Sequence, residues 1–368
     1  MGKKIGILTF HNAINYGAIL QALALQQFIE SNTASNAEII DLTTEDHIKG
    51  LSPFVLRSSN PVKNVLLKIW NLRFLGDLKR RNNRFQNFKR EMLHISENRF
   101  CDANDIAANS KVYDILITGS DQVFHPKIKN TDAYYLNFDT KGAKKVAYAP
   151  SFGVSEISSD ESIKIAGYLN SFDCLSCREQ QGSHLMTKLT DKAIPTVCDP
   201  VFLLDSGFWM ELADKAQINQ TFDYIFMFDL NGGDNLAKIA RSVSKKTGFS
   251  VVCASFNILN RHTGFHTLYD LGPLEWLSWM KNARYIVTDS FHGSAIGLKM
   301  GKRVLTYVAA PSLSSRLNTL YDKLGISNQL IYNLDTFDLS KIDFKNYNDK
   351  LEEFISSSKT YLLDAITR

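Results

Sequence analysis

Three polar residues that follow an apolar run have the chemistry of an acid–base site: Asp289, Ser290 and His292. The run ends at Thr288, and a helical pattern closed by Gly301 follows the polar loop. In open α/β sheets, ligands bind at the carboxyl ends of strands. A helix that begins near Gly293 and Ser294 would add its free amides and positive dipole end. A histidine beside an anion site suits phosphate or carboxylate chemistry; the alternative is that His292 is a turn residue or cap.

The first loop of the chain, residues 9–18, predicts a second part of the same site. Asn15 either caps the following helix or lines a cleft, and Gly17 allows a ligand or a neighbouring backbone to approach closely. The loop is not the G-x-G-x-x-G pattern, so dinucleotide binding is poorly supported.

Two further charged residues follow strand-like runs. Asp121 comes after Ile115–Thr118 and either binds sugar hydroxyls, acts as a base or caps the next segment. Arg178 has the forked guanidinium that holds a carboxylate or phosphate, and its rival role is an ion pair with Glu179 or another element. Asp199 precedes a proline and is interpreted as a turn or hinge residue.

The elements that must position these residues alternate between strands and helices, which predicts mostly parallel sheets with helical crossovers. Strands are expected at 3–10, 38–42, 113–118, 144–149, 172–177 and 195–198, and one long helix at about 62–95. The pattern restarts near residue 206. We therefore expect two Rossmann-like domains facing across a cleft, residues 1–205 and 206–335, with a C-terminal helix at 349–366 returning to the first domain.

Composition predicts a soluble cytoplasmic protein. The chain has 368 residues, a formal net charge of +4 and 44% hydrophobic residues. No apolar run approaches the roughly 18 residues of a membrane span, and no signal peptide is recognisable. Five cysteines, an odd number, argue against a disulfide framework.

One segment concentrates the basic residues. Residues 63–90 carry nine lysines and arginines against one acid, Asp77, with aromatic residues interleaved. Such a segment suits peripheral contact with an anionic membrane at its inner face, or with a pyrophosphate-linked lipid; the plainer alternative is a solvated helix. No nucleic-acid module is recognisable, so nucleic acid is not an expected partner.

With these motifs assembled, the chain resembles the polysaccharide pyruvyl transferase family. The matching stretches run in order over most of the sequence, at 4–25, 113–126, 145–153, 175–182, 198–204, 275–305 and 314–326. The resemblance implies a fold like that of the GT-B glycosyltransferases. It also implies transfer of the pyruvyl unit of phosphoenolpyruvate to two hydroxyls of a sugar in a surface-polysaccharide precursor, with no metal or further cofactor.

The resemblance also suggests roles for the candidate residues. His292 would protonate the methylene carbon of the donor, and Asp121, or else Asp289, would accept a hydroxyl proton. Arg178 and the helix start at Gly293 and Ser294 would hold the donor's phosphate and carboxylate. Asn15, Gly17 and Ser290 would line the site.

One departure from the family pattern concerns the donor. Some branches have Arg-x-His where this chain has Ser290-Phe291-His292, so a phosphate-holding arginine is missing at 290. Lys302, Arg303 or Arg316 are the candidates to compensate. The alternatives are a GT-B glycosyltransferase, which would need an acidic or aromatic nucleotide clamp in the second domain, and a non-catalytic sugar-binding protein. Glu275, Trp276 and Trp279 resemble such a clamp, but their helical spacing indicates packing.

Overall fold

Two parallel sheets organise the chain, in a computed structural model that describes residues 2–43, 72–218, 220–231, 233–256, 262–308, 311–344 and 348–368. The strands are β1 (Lys4–Leu8), β2 (Asn36–Leu42), β3 (Ile95–Phe100), β4 (Ile115–Thr118), β5 (Lys144–Ala147), β6 (Tyr224–Asp229), β7 (Ser250–Ser255), β8 (His266–Leu268), β9 (Tyr285–Thr288), β10 (Arg303–Tyr307) and β11 (Leu330–Ile331). The first sheet has the order β3-β2-β1-β4-β5 and the second β11-β10-β9-β6-β7-β8.

Helices cover both sheets, so the central strands are buried on both faces and consist of nearly continuous apolar runs, as in β6. The helices are α1 (Tyr16–Asn32), α2 (Leu75–Met92), α3 (Ala103–Asn109), α4 (Thr131–Tyr134), α5 (Ser159–Asn170), α6 (Gln180–Thr190), α7 (Ser206–Asp214), α8 (Asp234–Thr247), α9 (Pro273–Asn282), α10 (Phe291–Lys299), α11 (Pro311–Leu324) and α12 (Asn348–Thr367). The architecture is that of two Rossmann-like units.

Each sheet has one point at which the strand order reverses. In the first sheet β1 lies between β2 and β4, and in the second β6 lies between β7 and β9. Loops that leave the two strands at such a point diverge to opposite faces and open a crevice, where doubly wound sheets bind ligands. We therefore expect the ligand site at the loops after β1, β4, β6 and β9.

An aromatic contact joins the two units beside this crevice. Tyr16, on α1, stacks on Trp276 of α9 with ring centroids 5.0 Å apart and on Phe256 at 4.9 Å. Its hydroxyl donates to the carbonyl of Leu271 at 2.9 Å. Because this ring of the first unit is buried among aromatic residues of the second, a single apolar core continues across the boundary between the units.

The C-terminal helix packs against the first unit. Ser358 of α12 accepts a hydrogen bond from the amide of Cys198 at 2.8 Å, and the hydroxyl of Tyr361 donates to the carbonyl of Ala147 at the end of β5. Leu362 and Ile366 are buried on the same side of the helix. The expected return of this helix is thus visible in its contacts.

The structure differs from the sequence expectation at three places. Residues 172–177 and 195–198 make isolated bridges, at Cys174 and between Cys177 and Thr196, in place of strands. The helix expected over 62–95 is described only from residue 72, and its helical part ends at Met92. The next residues form β3, whose polar sequence reflects an exposed position at the sheet edge.

The basic segment is described only over its second half, because 63–71 lie outside the described residues. In that half, Arg80 and Arg84 pair with Asp270, and Arg84 also pairs with Glu275 at 3.0 Å. Lys89 lies 3.7 Å from Asp41. These charges join α2 to the second unit and to the first sheet; membrane contact stays a prediction. Among the helices that the structure describes, none is both long and apolar enough to cross a membrane.

Candidate active site

A cavity of about 200 Å³ lies between the two units, where the loops from the four central strands meet. Each of those loops contributes to its lining, and α11 closes one side. The lining residues are Asn15, Asp121, Gln122, Leu230, Asn231, Asp289, Ser290, Phe291, His292, Arg316 and Leu317. Most of the candidate residues from the sequence therefore meet at one place.

A buried charged cluster borders this cavity and is centred on Asp199. The Oδ2 atom of Asp199 lies 2.6 Å from Nη1 of Arg178 and 3.3 Å from Nε2 of His292, and it accepts a hydrogen bond from Ser120 at 3.0 Å. Burial alone would raise the pKa of Asp199. Its neighbours His292 and Arg178 outweigh burial and hold that pKa well below its ordinary value. Asp199 is thus a fixed negative charge in contact with both Arg178 and His292.

Arg178 keeps hydrogen-bonding capacity although it is buried. Its Nε and Nη2 atoms have no hydrogen-bond partner, and Nη2 lies 3.7 Å from Oδ1 of Asp121. The ring of Phe291 packs under the guanidinium, 4.5 Å from the ring centroid. Because a buried donor without a partner costs free energy, these two groups favour an acceptor from outside the protein.

Arg316 adds a second cation to the same cavity. It is half-buried, and among the residues that the structure describes it forms no ion pair. Its pKa is lowered by burial and then by the nearby charge of Arg178. Of the three candidates to replace the missing arginine, it alone lines the cavity. Lys302 donates to the carbonyl of Ala283, and Arg303 bonds the hydroxyl of Tyr285.

Gly17 is required by the position of His292. A Cβ atom at residue 17 would lie 2.1 Å from Nδ1 of the His292 ring and 2.7 Å from its Cβ atom. The sequence predicted that a ligand or a neighbouring backbone approaches Gly17, whereas in the structure the His292 side chain occupies that place. Residue 17 belongs to the first unit and His292 to the second, so the site is assembled from both.

The start of α10 differs in detail from the expectation. The helix begins at Phe291, two residues early, with Ser290 as its N-cap. The amide of Gly293 donates to Oγ of Ser290, and the amide of Ser294 donates to the Ser290 carbonyl. The hydroxyl of Ser294 forms a hydrogen bond with the hydroxyl of Thr306 at 2.6 Å. Gly293 and Ser294 therefore do not offer free amides, which is a correction. Within the described ranges, the amides at this end without a partner are those of Phe291 and His292.

Asn15 and Asp121 line the part of the cavity that the first unit forms. The side chain of Asn15 caps α1 by accepting from the amides of Gly17 and Ala18, and so fixes the loop that carries Gly17. Asp121 has a φ angle of 76°, which is uncommon for an aspartate. Its Oδ1 accepts from the amide of Gln122 at 2.9 Å, which leaves Oδ2 available to a ligand.

Asp289 is held by its neighbours. Oδ1 accepts from the amide of Leu230, and Oδ2 accepts from both the amide and the side chain of Asn231. Burial raises the pKa of Asp289, and the donors of residues 230 and 231 oppose that rise. This geometry suits the anchoring of the loop after β6. A part in proton transfer stays a prediction.

The residue that sequence reasoning missed is Asp199. An aspartate before proline is ordinary turn chemistry, and here it does cap a short 3₁₀ turn through Val201. The available signal was that Arg178 required a buried counter-ion, but the sequence does not indicate which acid supplies it. His11 pairs with Asp41 at 3.1 Å and does not line this cavity.

The nucleotide clamp of the glycosyltransferase alternative is not formed. Trp276 and Trp279 are buried in the core, and Glu275 binds Arg84 and the amide of Gly272. Within the described ranges, no group of three or more His, Cys, Asp or Glu side chains could hold a metal ion.

Comparison with known proteins agrees with this architecture. The structure is similar to UDP-GlcNAc 2-epimerase of Methanocaldococcus jannaschii in complex with UDP-GlcNAc and UDP, at 12% identity and a TM-score of 0.50, over 98% of this chain and 100% of that chain. The Neisseria meningitidis UDP-GlcNAc 2-epimerase has 11% identity and a TM-score of 0.49, over 99% and 94%. The first of these likenesses supports the GT-B-like fold.

Sequence comparison identifies the family. No curated protein matches significantly. The sequence model of the polysaccharide pyruvyl transferases matches residues 15–309, which include every residue of the cavity wall except Arg316 and Leu317. The chain therefore belongs to the polysaccharide pyruvyl transferase family.

Proposed function

We propose that this family member transfers the pyruvyl unit of phosphoenolpyruvate to two hydroxyls of a sugar in a surface-polysaccharide precursor. One observation carries the proposal: two arginines meet at the cavity, and one of them keeps donors that the protein does not use. Arg178 has two buried donors without hydrogen-bond partners, and Arg316 adds a second guanidinium beside it. A small ligand with both a phosphate and a carboxylate would satisfy these groups.

The chemistry begins with proton transfer to carbon. Protonation of the donor's methylene carbon makes C2 electrophilic, and His292, beside Asp199, is the proposed acid. A sugar hydroxyl attacks C2, and Asp121 takes its proton. The C2–O bond to phosphate then breaks, and the second hydroxyl adds to C2 to close the ketal. This hydroxyl gives its proton to the phosphate, which leaves as hydrogen phosphate. Return of the proton from Asp121 to His292 restores the enzyme, so atoms and charges balance.

The two arginines have a defined role in the proposed reaction. Arg178 and Arg316 neutralise the charge that develops on the departing phosphate, together with the open amides of Phe291 and His292 at the start of α10. Arg316 takes the place of the arginine that other branches have at position 290. Ser290 instead caps the helix.

The test is phosphate release from phosphoenolpyruvate with a panel of galactose- and N-acetylmannosamine-type acceptors. Release should depend on the acceptor and fall by at least roughly 100-fold in His292→Ala. Arg316→Gln should weaken phosphoenolpyruvate binding by calorimetry, whereas Arg303→Gln, which removes an arginine outside the cavity, should not. Absence of both release and binding with the wild-type protein would reject this donor.

A further inference from the structure

A second and larger cavity lies beside the active site. It has a volume of about 570 Å³, and its walls come from both units. Gln180, Gln181 and His184 of α6 form one wall, and Ser315, Asn318 and Thr319 of α11 form the other. The amide of Gln180 donates to Oγ1 of Thr319 at 3.1 Å, which joins the two walls.

The two cavities are neighbours along both walls. Gln180 is two residues beyond Arg178, whose Nη2 atom lies 3.7 Å from Asp121 of the active-site lining. On α11, Arg316 lines the active site while the adjacent Ser315 lines the larger cavity. Residues that follow one another in the chain thus line both cavities.

The two linings differ in charge. Among the described residues that line the larger cavity there is no lysine or arginine, and Asp322 is the one carboxylate. Most of the other lining groups are amides and hydroxyls. Such groups both donate and accept, which matches the hydroxyls of a neutral sugar and gives no preference for an anion.

Several of these groups are unused by the protein. Within the part of the chain that the structure describes, the side chains of Gln180, Gln181 and His184 make no hydrogen bond or ion pair with other residues. By contrast, Asn318 accepts from the hydroxyl of Tyr332, and Asp322 accepts from Ser327. The α6 wall therefore has unused hydrogen-bonding groups, while parts of the α11 wall are fixed.

We infer that this cavity binds the acceptor as a neutral saccharide and presents its hydroxyls to the active site. The inference rests on the proposed function for the reaction that follows, but the saccharide site itself is testable by binding alone. Arg316 of the smaller cavity and the neighbouring Arg178 suit the anionic donor, whereas the larger cavity, whose lining has no lysine or arginine, suits the uncharged polyol.

The experiment measures binding of methyl β-galactoside and methyl N-acetyl-β-mannosaminide by saturation-transfer NMR, and of phosphoenolpyruvate by calorimetry. The double variant Gln181→Ala/Ser315→Ala removes one group from each wall. We expect a roughly tenfold loss of glycoside affinity or more, from two lost hydrogen bonds, and no more than about a twofold change for phosphoenolpyruvate. Lys188→Ala, an exposed change elsewhere on α6, is the control and should alter neither.

The outcomes separate this inference from the proposed function. Equal glycoside binding by wild type and double variant, or no glycoside signal in wild type even with phosphoenolpyruvate present, overturns the inference. Phosphate release that continues with an unchanged acceptor KM in the double variant also overturns it and leaves the proposed function standing. Glycoside binding that is lost in the double variant, in a protein that does not bind phosphoenolpyruvate, supports the saccharide site and rejects the donor.

Discussion

At position 17, the absence of a side chain is what allows His292 to occupy its place in the cleft. Gly17→Ala would put a methyl group 2.1 Å from Nδ1 of that ring. We expect kcat/KM for phosphate release to fall by roughly 100-fold or more, because a misplacement of about 1 Å has that effect on positioned groups. The circular dichroism spectrum should stay that of the folded protein.

The matched control for this change is Gly167→Ala in α5, where an added Cβ meets no atom within 4 Å. Alanine there should leave activity unchanged and raise stability by about 0.5–1 kcal/mol. Equal activity in the two variants would contradict the role of Gly17.

Asp199 is the second residue whose replacement has a definite expected result. Asp199→Asn preserves size but removes the buried carboxylate that contacts Arg178 and His292. Loss of one partner of a buried pair costs about 3–5 kcal/mol, so the urea midpoint should fall substantially. The direction in which the free energy of unfolding changes with pH follows from the pKa of Asp199, which is lower in the folded state than in the unfolded state.

The contribution of Asp199 to stability is complete above the ordinary aspartate pKa of 3.8 and declines as the pH falls below it. The stability difference between wild type and Asp199→Asn should therefore be constant from neutral pH down to about pH 5 and shrink below pH 4. A difference that grows on acidification would mean that Asp199 is not the charged partner. Sequence reasoning could not predict this role, since residues 178, 199 and 292 meet only after both units have packed.

Among the elements, α10 begins at a serine N-cap that contributes to its stability. Ser290 accepts from the amide of Gly293 at 3.2 Å, and nearly all of the helix is buried. Ser290→Ala should lower the free energy of unfolding by about 1 kcal/mol, whereas Ser290→Asn should retain most of it. Urea denaturation of the three proteins measures both values. Identical stabilities would show that the cap is replaceable.

Element positions were predictable where apolar periodicity is strong and less so where other contacts decide. The expected strand at 38–42 and the apolar run that ends at Thr288 correctly indicate β2 and β9. β3 was missed, since Ile95–Phe100 is a mostly polar sequence that pairs at the sheet edge. The start of α10 was placed two residues late because Phe291 resembles the preceding strand in character, and only the hydrogen bond to Ser290 reveals the boundary.

At the scale of the whole molecule, ion pairs between α2 and the second unit add to the aromatic contact of Tyr16. Arg84 reaches both Asp270 and Glu275, with 36% of its side chain exposed. Half-exposed pairs of this kind are worth about 0.2–1 kcal/mol. A double-mutant cycle of Arg84→Ala and Glu275→Gln should give a coupling energy in that range at low salt and a smaller one in 0.5 M NaCl. A coupling energy that is unaffected by salt would mean that packing, and not charge, joins the units.

The presence of two Rossmann-like units was predictable from the restart of the strand–helix pattern, and the two parallel sheets confirm it. The boundary near residue 206 stays a prediction. The docking of the units was not. It depends on Tyr16 and the arginines of α2, whose partners lie more than 180 positions away in the chain. No local pattern records such a pairing.

The contact between Gly17 and His292 has a consequence for recombination among relatives. The first half of the chain supplies Gly17, Arg178 and Asp199, and the second half supplies His292. A chimaera that joins halves of two family members therefore combines a histidine with contact residues that did not evolve with it. Such hybrids are expected to fold well more often than they turn over substrate. Activity should return first through changes at residues 17, 178 and 199, on the side of the join that does not carry the histidine.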